Sequence, residues 1–432
     1  MLITPITKTN IQPTKLQSHH LAQIQTREDG FVFENQNINK KVLIERKIIK
    51  ENQNINSFYD SISTHIFPDS KLAHSFSKLL QGGYIALSTS AYSDLSNPKS
   101  AIALKLDSTK NVVHHCCTLE NYISKGIGIG INYSNLKNPI EEIIYTNNYF
   151  KKREPHLRRP PAGIGLLNIT HPKIMDFIAL KDNANYNDWC FNLSVVMDDN
   201  FLTKVDTNQD LILDDGTKIK ASEVYSKLID SMRKKGEPGI IFSNEKDFIC
   251  DSCAASQLKE NEALNLAQIN LSKFYNKESK TFDYAFLSQS ANTLTMALRR
   301  IAPDGFISIL GYQDLLNQMG LNYGSKEALE VLEKALLTIK EQSQIEGIRM
   351  CISPSGATSR ILKTTPSIEP INNTYATYWD EIDTMAAAQK YLDGGISKTI
   401  NLKPNHTTQD VDLIIRSCFQ QGIKGVTVFP PQ

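Results

Sequence analysis

The chain has 432 residues, 41% of them hydrophobic and 22% charged, with a formal net charge of +1. That length holds one large domain or two to three ordinary ones, and the composition is that of a globular protein. The near-zero charge excludes the broad basic surface of a nucleic-acid or anionic-membrane binder, so the expected partners are small molecules. No apolar run reaches bilayer-spanning length, and MLITPITKTNIQPTKLQSHH lacks the apolar core of a secretory signal, so a cytoplasmic protein is expected. Seven cysteines, an odd number thinly spread, fit reduced thiols better than a disulfide framework.

The first 56 residues, rich in Asn, Gln and Lys, read as a loosely packed arm or a short helical preface. From Phe58 the spacing turns regular. SFYDSISTHIF and KLAHSFSKLLQGG are helical, the second stopped by Gly82 and Gly83. GIGIGINYS alternates as a strand with glycine on one face. PPAGIGLLNI, FNLSVVM and GEPGIIFS read as short buried strands, and HPKIMDFIALK as helical. KEALEVLEKALLTIKEQSQ is an amphipathic helix, followed by strand and loop in GIRMCISPSGATS. TTQDVDLIIRSCFQQG is a Thr-capped, Gly-stopped helix that leads into the strand KGVTVF. Alternation of strand and helix over more than 350 residues predicts one large α/β domain with a parallel sheet or barrel.

Four motifs invite chemistry. The glycines Gly126, Gly128 and Gly130 alternate strictly, which is strand geometry and not the dinucleotide-binding turn. His114 to Cys117 are adjacent, whereas ligands of one tetrahedral ion are spaced, so helix packing is expected and no metal site. Cys250 and Cys253 give only half of a structural zinc site. Alone, the pair leaves open an incidental spacing or one functional cysteine. The small donors of SPSGATS, residues 353–359, suit either a phosphate-holding loop or an ordinary turn.

Several segments in this order resemble the large catalytic subunit of ribonucleotide reductases, closest to the adenosylcobalamin-dependent class II type. They are GIGIGINYSNL, PPAGIGLLNITHPKIMDFIALK, NLSVVMDDNFL, GEPGIIF, LNLAQINLSKF, LGYQDLLNQMGLNYGSKEAL, SPSGATSRILKTTPSIEP and QKYLDGGISKTINLKPNHTTQDV with GIKGVTVF. The resemblance spans residues 57–432 and implies a ten-stranded α/β barrel with a central finger loop, whose cysteine becomes a thiyl radical. The arm 1–56 does not resemble the family's ATP-cone module. The family's finger reads Asn-Pro-Cys-Gly-Glu, followed by a second cysteine that opens Cys-Asn-Leu-Gly-Ser-Ile-Asn-Leu. With LNLAQINL on the second motif, Cys253 takes the thiyl position and Cys250 falls outside it.

The departures concern what surrounds that cysteine. The family's Asn falls on Asp251, its catalytic Glu on Ala255 and its second cysteine on Leu264; the partner of that cysteine falls on Ile102. In the family the thiyl radical takes the 3′ hydrogen of a ribonucleotide, the Glu removes the 3′-OH proton, and the two other cysteines give the electrons that replace the 2′-OH. Loss of a base costs about 10²–10⁴-fold in its step. Ser355, Gly356, Ala357 and Thr358 match the phosphate loop, Ser88 and Ser90 a segment lining the same cavity, and Glu369 a patterned segment near the barrel rim. Asp251 is either a replacement acid or base or a loop-capping carboxylate. Thr427 and Val428 stand where a radical-relaying tyrosine pair would be, and no glycyl-radical loop is visible. Adenosylcobalamin is therefore expected by elimination, without a radical-generating subunit. The segment between NYSNLKNP and RRPPAGIG is shorter than the family's dimer and allosteric region, which implies a monomer or an atypical dimer. No counterpart of the family's C-terminal redox cysteines is expected.

Three readings follow. The first is a thiyl-radical enzyme that uses Cys253 on a nucleotide-like anionic substrate without a dithiol pair. The second is a genuine, divergent class II ribonucleotide reductase, with a small reductant or another thiol (Cys116, Cys117, Cys190 or Cys351) replacing the lost pair. The third is a decayed nucleotide- or partner-binding paralogue.

Overall fold

A computed structural model describes residues 38–157, 159–182, 188–371 and 375–431. Strand β1 (Ile85–Leu87) is followed by β2 (Lys99–Leu104), β3 (Gly128–Asn132), β4 (Gly163–Asn168), β5 (Phe191–Met197) and β6 (Gly239–Phe242). After these come β7 (Ala263–Asn270), β8 (Phe306–Leu310), β9 (Arg349–Met350), β10 (Thr399–Asn401) and β11 (Gly425–Phe429). Ten of them form one hydrogen-bonded path, β9-β8-β7-β2-β3-β4-β5-β6-β11-β10, with β1 set against β7.

Strands β2 to β6 run parallel, as do β7 to β9 and the pair β10–β11; the joins β2–β7 and β6–β11 are antiparallel. The ends of the path are not paired as strands. Just beyond β9, however, Ile352 makes a parallel bridge with Ile396, its N–H donating to Gly395 O at 3.0 Å and its O accepting from Ser397 N at 2.8 Å. The architecture is thus mixed α/β with one large sheet whose two edges meet at a single bridge; a continuous ten-stranded ring of ladders, as the resemblance implied, is not what the hydrogen bonds show.

The strands are near-continuous apolar runs because helices cover one face and side chains fill the other. Helix Ile55–Ile66 is capped by the Asn54 side chain, Ser70–Gln81 by Asp69, and Thr408–Gln420 by a reciprocal Thr407–Asp410 capping box. The stretch HPKIMDFIALK is helical only over Ile174–Ile178. Helix Val112–Ile123 buries His115 and Cys116 and exposes Cys117; His115 Nδ1 meets Glu142 at 3.2 Å and Nε2 meets Asp107 O at 2.9 Å, so His115 and Cys116 serve packing.

Of the N-terminal arm, residues 1–37 lie outside the described residues. Helix Lys40–Glu45 buries Val42 and Leu43 and packs against helix Gly356–Leu362, with Asn39 N–H donating to Ile361 O at 2.8 Å. Among the described residues no helix is long and apolar enough to cross a membrane.

Candidate active site

The loop between β6 and β7 folds back on itself. Cys250 bridges Gln257, Leu258 N–H donates to Ile249 O at 3.1 Å, and Asp251 N–H donates to Ser256 O at 3.1 Å. Ala254 turns the tip with φ +57°. The alternating glycines of β3 make room for this hairpin: a Cβ on Gly130 would lie 1.9 Å from Cys250 O, and one on Gly128 would lie 2.4 Å from Ser252 Oγ. The glycine face predicted for close backbone approach is the bed of the loop.

The two cysteines of CDSC part company. Cys250 is buried among Ile164, Leu166, Val196, Ile241 and Phe248. Cys253, partly exposed, packs against a separate cluster that includes Ala101, Ala255, Leu264 and Cys351. Among the described residues there is no group of three metal-ligating side chains. One cysteine sits in core and the other at a cavity.

Asp251 is fully buried beneath the tip. Its Oδ2 accepts from Cys253 N–H at 3.0 Å and from the Cys253 thiol at 2.8 Å; its Oδ1 accepts from Ser256 N–H at 2.6 Å. Burial raises its pKa despite those donors. Burial first, and the Asp251 charge second, push the Cys253 thiol well up. A thiol held protonated is a poor nucleophile and metal ligand but keeps the S–H bond that hydrogen-atom chemistry requires. Asp251 is therefore a carboxyl group that holds its proton more tightly than a free carboxylate, in direct contact with the thiol.

A cavity of about 820 Å³ opens beside them. It brings together Cys253, Asp251, Ser88, Ser90, Leu264 and the loop residues Ser355, Gly356, Ala357 and Thr358. Ser88 and Ser90 are joined at 3.1 Å, and Ser90 reaches Ser100 at 3.1 Å. Ile102 does not reach the cavity. The ladder between β2 and β7 shifts between Lys99 and Ala101, so Ala101 pairs with Leu264 and lines the cavity, while Ile102 packs into the outer core. The residue facing Leu264, where a partner thiol would stand, is Ala101. Ala255 is buried below the tip, its carbonyl accepting from Gly395 N–H at 2.8 Å.

Gln268 was not singled out by the sequence reading. It is buried in the cavity wall, its Nε2 donates to Ser355 Oγ at 3.1 Å, and its Oε1 has no hydrogen-bond partner among the described residues. Leu264, Leu266 and Gln268 alternate along β7 and all line the cavity, so strand period was the signal that could have found it.

A second cavity, of about 240 Å³, reaches Cys253 from the other half of the sheet. Its walls include Ala254, Ser194, Lys398, Thr427 and Val428. Lys398 is buried and donates to Glu369 at 3.0 Å, to Glu381, and to Thr399 O at 3.0 Å. Glu369 thus helps neutralise a buried lysine and lies outside the first cavity. Burial raises the Glu381 pKa against the pull of Lys398.

Residues 101–351 and 373–429 match the family model described as "Ribonucleotide reductase, barrel domain". The curated protein "Vitamin B12-dependent ribonucleoside-diphosphate reductase" of Thermoplasma acidophilum is 26% identical, over 63% of this chain and 51% of that protein. Proteins of the same name from two strains of Mycobacterium tuberculosis are 22% identical, over 63% of this chain and 56% and 55% of their own lengths. The chain spans about half the length of the curated relatives it matches.

Proposed function

The chain belongs to the ribonucleotide reductase barrel-domain family, and we propose that it is a divergent class II enzyme that makes deoxyribonucleotides with Cys253 as its hydrogen-atom abstractor. The observation that carries this reading is the Cys253 thiol, hydrogen-bonded to Asp251, at the point where two cavities meet. We also read the Ile352–Ile396 bridge as the seam of a ten-stranded barrel over residues 57–432.

The larger cavity would hold the ribonucleotide, with Ser355, Gly356, Ala357 and Thr358 at its phosphates and Ser88 and Ser90 alongside. Gln268 Oε1, a buried acceptor without a partner, suits a sugar hydroxyl. Cys253 would take the 3′ hydrogen and return it after reduction, while Asp251 takes and returns the 3′-OH proton in place of the Glu that Ala255 has displaced. The net step breaks C2′–O, forms C2′–H and releases water, which consumes two electrons and two protons. Ala101 and Leu264 cannot supply them, so a dithiol or other small two-electron donor must enter the cavity and leave oxidised. This replaces the expectation of a reaction without dithiol chemistry: the relatives that the chain matches are named as reductases.

Those relatives are named as dependent on vitamin B12, and the second cavity gives a place to test that cofactor against this chain. The hydroxyls of Ser194 and Thr427 in its wall would hold a polar part of the cofactor beside Cys253, whereas Lys398 is already taken up by Glu369, Glu381 and Thr399 O. Adenosylcobalamin supplies a homolytically labile bond and so an acceptor for the Cys253 hydrogen. The chain's part is to hold that S–H bond protonated between the cavities, without a tyrosine relay, since Thr427 and Val428 occupy the positions of the pair.

The test is incubation with adenosylcobalamin, ribonucleoside di- or triphosphates, and dithiothreitol, with deoxynucleotide measured as product. Deoxynucleotide that requires both cobalamin and dithiol supports the reading. Cobalamin-dependent consumption of nucleotide without deoxynucleotide would replace it with a non-reductive conversion at the same cysteine, and no reaction together with no nucleotide binding would refute both.

A further inference from the structure

The loop that would hold the substrate's phosphates carries no charge of its own: SPSGATS, residues 353–359, has only small neutral side chains. The next residue is cationic, but Arg360 turns to the surface and pairs with Glu45 at 3.3 Å. Glu45 ends helix Lys40–Glu45, which the buried Val42 and Leu43 and the Asn39–Ile361 hydrogen bond dock onto helix Gly356–Leu362. The residue after Glu45 is Arg46, and Arg46 lines the large cavity together with Ser355, Gly356 and Thr358. Residues 38–50 lie outside the segment that matches the family model.

From this juxtaposition we propose that Arg46, delivered by the docked N-terminal helix, is a substrate-binding residue that takes the terminal phosphates of the nucleotide. The inference rests on the ribonucleotide reading of the cavity and adds to it. A phosphate group needs a cation or several oriented donors to replace its hydration, and a guanidinium supplies both charge and a two-pronged donor face. The neutral loop provides shape and small donors, and the arm provides the charge. The Glu45–Arg360 pair, on a solvent-exposed edge, fixes the turn that aims Arg46 inward; it is a positioning contact and a minor source of stability. Three other cations line the same cavity, Lys99, Lys125 and Arg159, on the wall formed by β2 and the approaches to β3 and β4. The assignment therefore also fixes an orientation: phosphates toward the arm, base toward the wall of Lys125 and Arg159.

The experiment is calorimetric binding of inorganic pyrophosphate, and separately of a ribonucleoside diphosphate, to the full chain and to R46A, R46K and K125A. Loss of one charge-assisted contact predicts about tenfold or more weaker binding of both ligands by R46A, a smaller loss by R46K, which keeps the charge without the two-pronged face, and little change in pyrophosphate binding by K125A. In turnover, R46A raises KM for the nucleotide and leaves kcat nearly unchanged. Equal pyrophosphate affinity in the wild type and R46A overturns the proposal, as does loss in K125A alone or no pyrophosphate binding at all. If pyrophosphate binding depends on Arg46 but no deoxynucleotide is ever formed, the anion site stands and the reductase reading fails, so the two outcomes separate.

Discussion

On one side of the large cavity stand Ser88, Ser90, Gln268 and the neutral loop 355–358; on the other, Ala101 and Leu264 face each other across β2 and β7. The first wall is polar. The second presents methyl and isobutyl groups. Cys253 and Asp251 lie between them, bonded to each other at 2.8 Å. On the proposed reading the difference separates holding a substrate from supplying the electrons for its reduction: the polar wall and Cys253 would serve the first, and nothing on the apolar wall can serve the second. On the same reading Ala255 can be small, since the Asp251 carboxyl would do the acid–base work from two positions before the thiol.

The largest effect expected is at the junction. Cys253→Ala should abolish cobalamin-dependent turnover while leaving nucleotide affinity, measured by calorimetry, close to wild type; retained turnover would move the chemistry off this cysteine. Cys250→Ala, in the apolar cluster three residues away, should retain the reaction and cost only stability.

Asp251→Asn comes next, with kcat lower by about 10²–10⁴-fold if the carboxylate is the acid–base group. Its pKa direction gives two pH signatures. Burial raises the folded value above the unfolded value of about 3.9. The folded chain therefore holds the proton more tightly, and stability is full below the unfolded pKa and falls as pH rises through the folded one. Melting of the wild type should decline with pH across that window, and melting of D251N should lack this component. The wild-type rate should rise over the same window as the base ionises, and D251N should lose that limb. A variant that keeps both limbs leaves Asp251 as a loop cap.

The apolar wall can be tested by rebuilding it. Ala101 and Leu264 are directly opposed in an antiparallel pair, where Cα atoms lie roughly 4.5–5.5 Å apart, within the span a disulfide bridges. A101C/L264C should give a single equivalent of deoxynucleotide per chain with no added reductant, and form a disulfide in the same step, seen by mass spectrometry. Product without dithiol in the wild type would mean that electrons are already stored elsewhere, with buried Cys351, in the same cluster as Cys253, the first residue to examine.

Part of this site was legible in the residues because its signals are local. Alternating glycines predicted a close backbone approach, whereas the residues alone left CDSC open and only the family resemblance of LNLAQINL singled out Cys253, which lines the cavity. The Thr cap read in TTQDVDLIIRSCFQQG starts the helix at Thr407. What was not legible depends on register and distant packing. A shift in the β2–β7 ladder between Lys99 and Ala101 moves the cavity position from Ile102 to Ala101, and a one-residue slip in a strand reverses every side chain. Lys398 and Glu369 are 29 residues apart, and Arg46 is more than 300 residues from the loop it joins, so no spacing rule connects them. The arm reads as loosely packed by composition, yet its described part buries Val42, Leu43 and Ile49.

The smallest effect expected concerns the bed of the finger loop, and it asks whether the two walls meet at Cys253 because of β3. Gly130→Ala forces a Cβ to 1.9 Å from Cys250 O, a backbone atom held by the hairpin, whereas Gly128→Ala meets Ser252 Oγ, which can rotate, and Ser252 Cβ at 2.7 Å, a milder overlap that needs a smaller shift of the loop. Overpacking against fixed backbone should cost about 1–3 kcal/mol in G130A and less in G128A, read from denaturant midpoints at constant slope. The sharper reading is catalytic. Lifting the hairpin by a fraction of an ångström moves Cys253 relative to both cavities, so G130A should lose more kcat than its stability loss explains, whereas its nucleotide affinity stays near wild type because the binding wall is untouched. If G130A and G128A fall equally in both measures, β3 is packing alone, and the tip must be positioned by Asp251 and its bonds to Cys253 and Ser256.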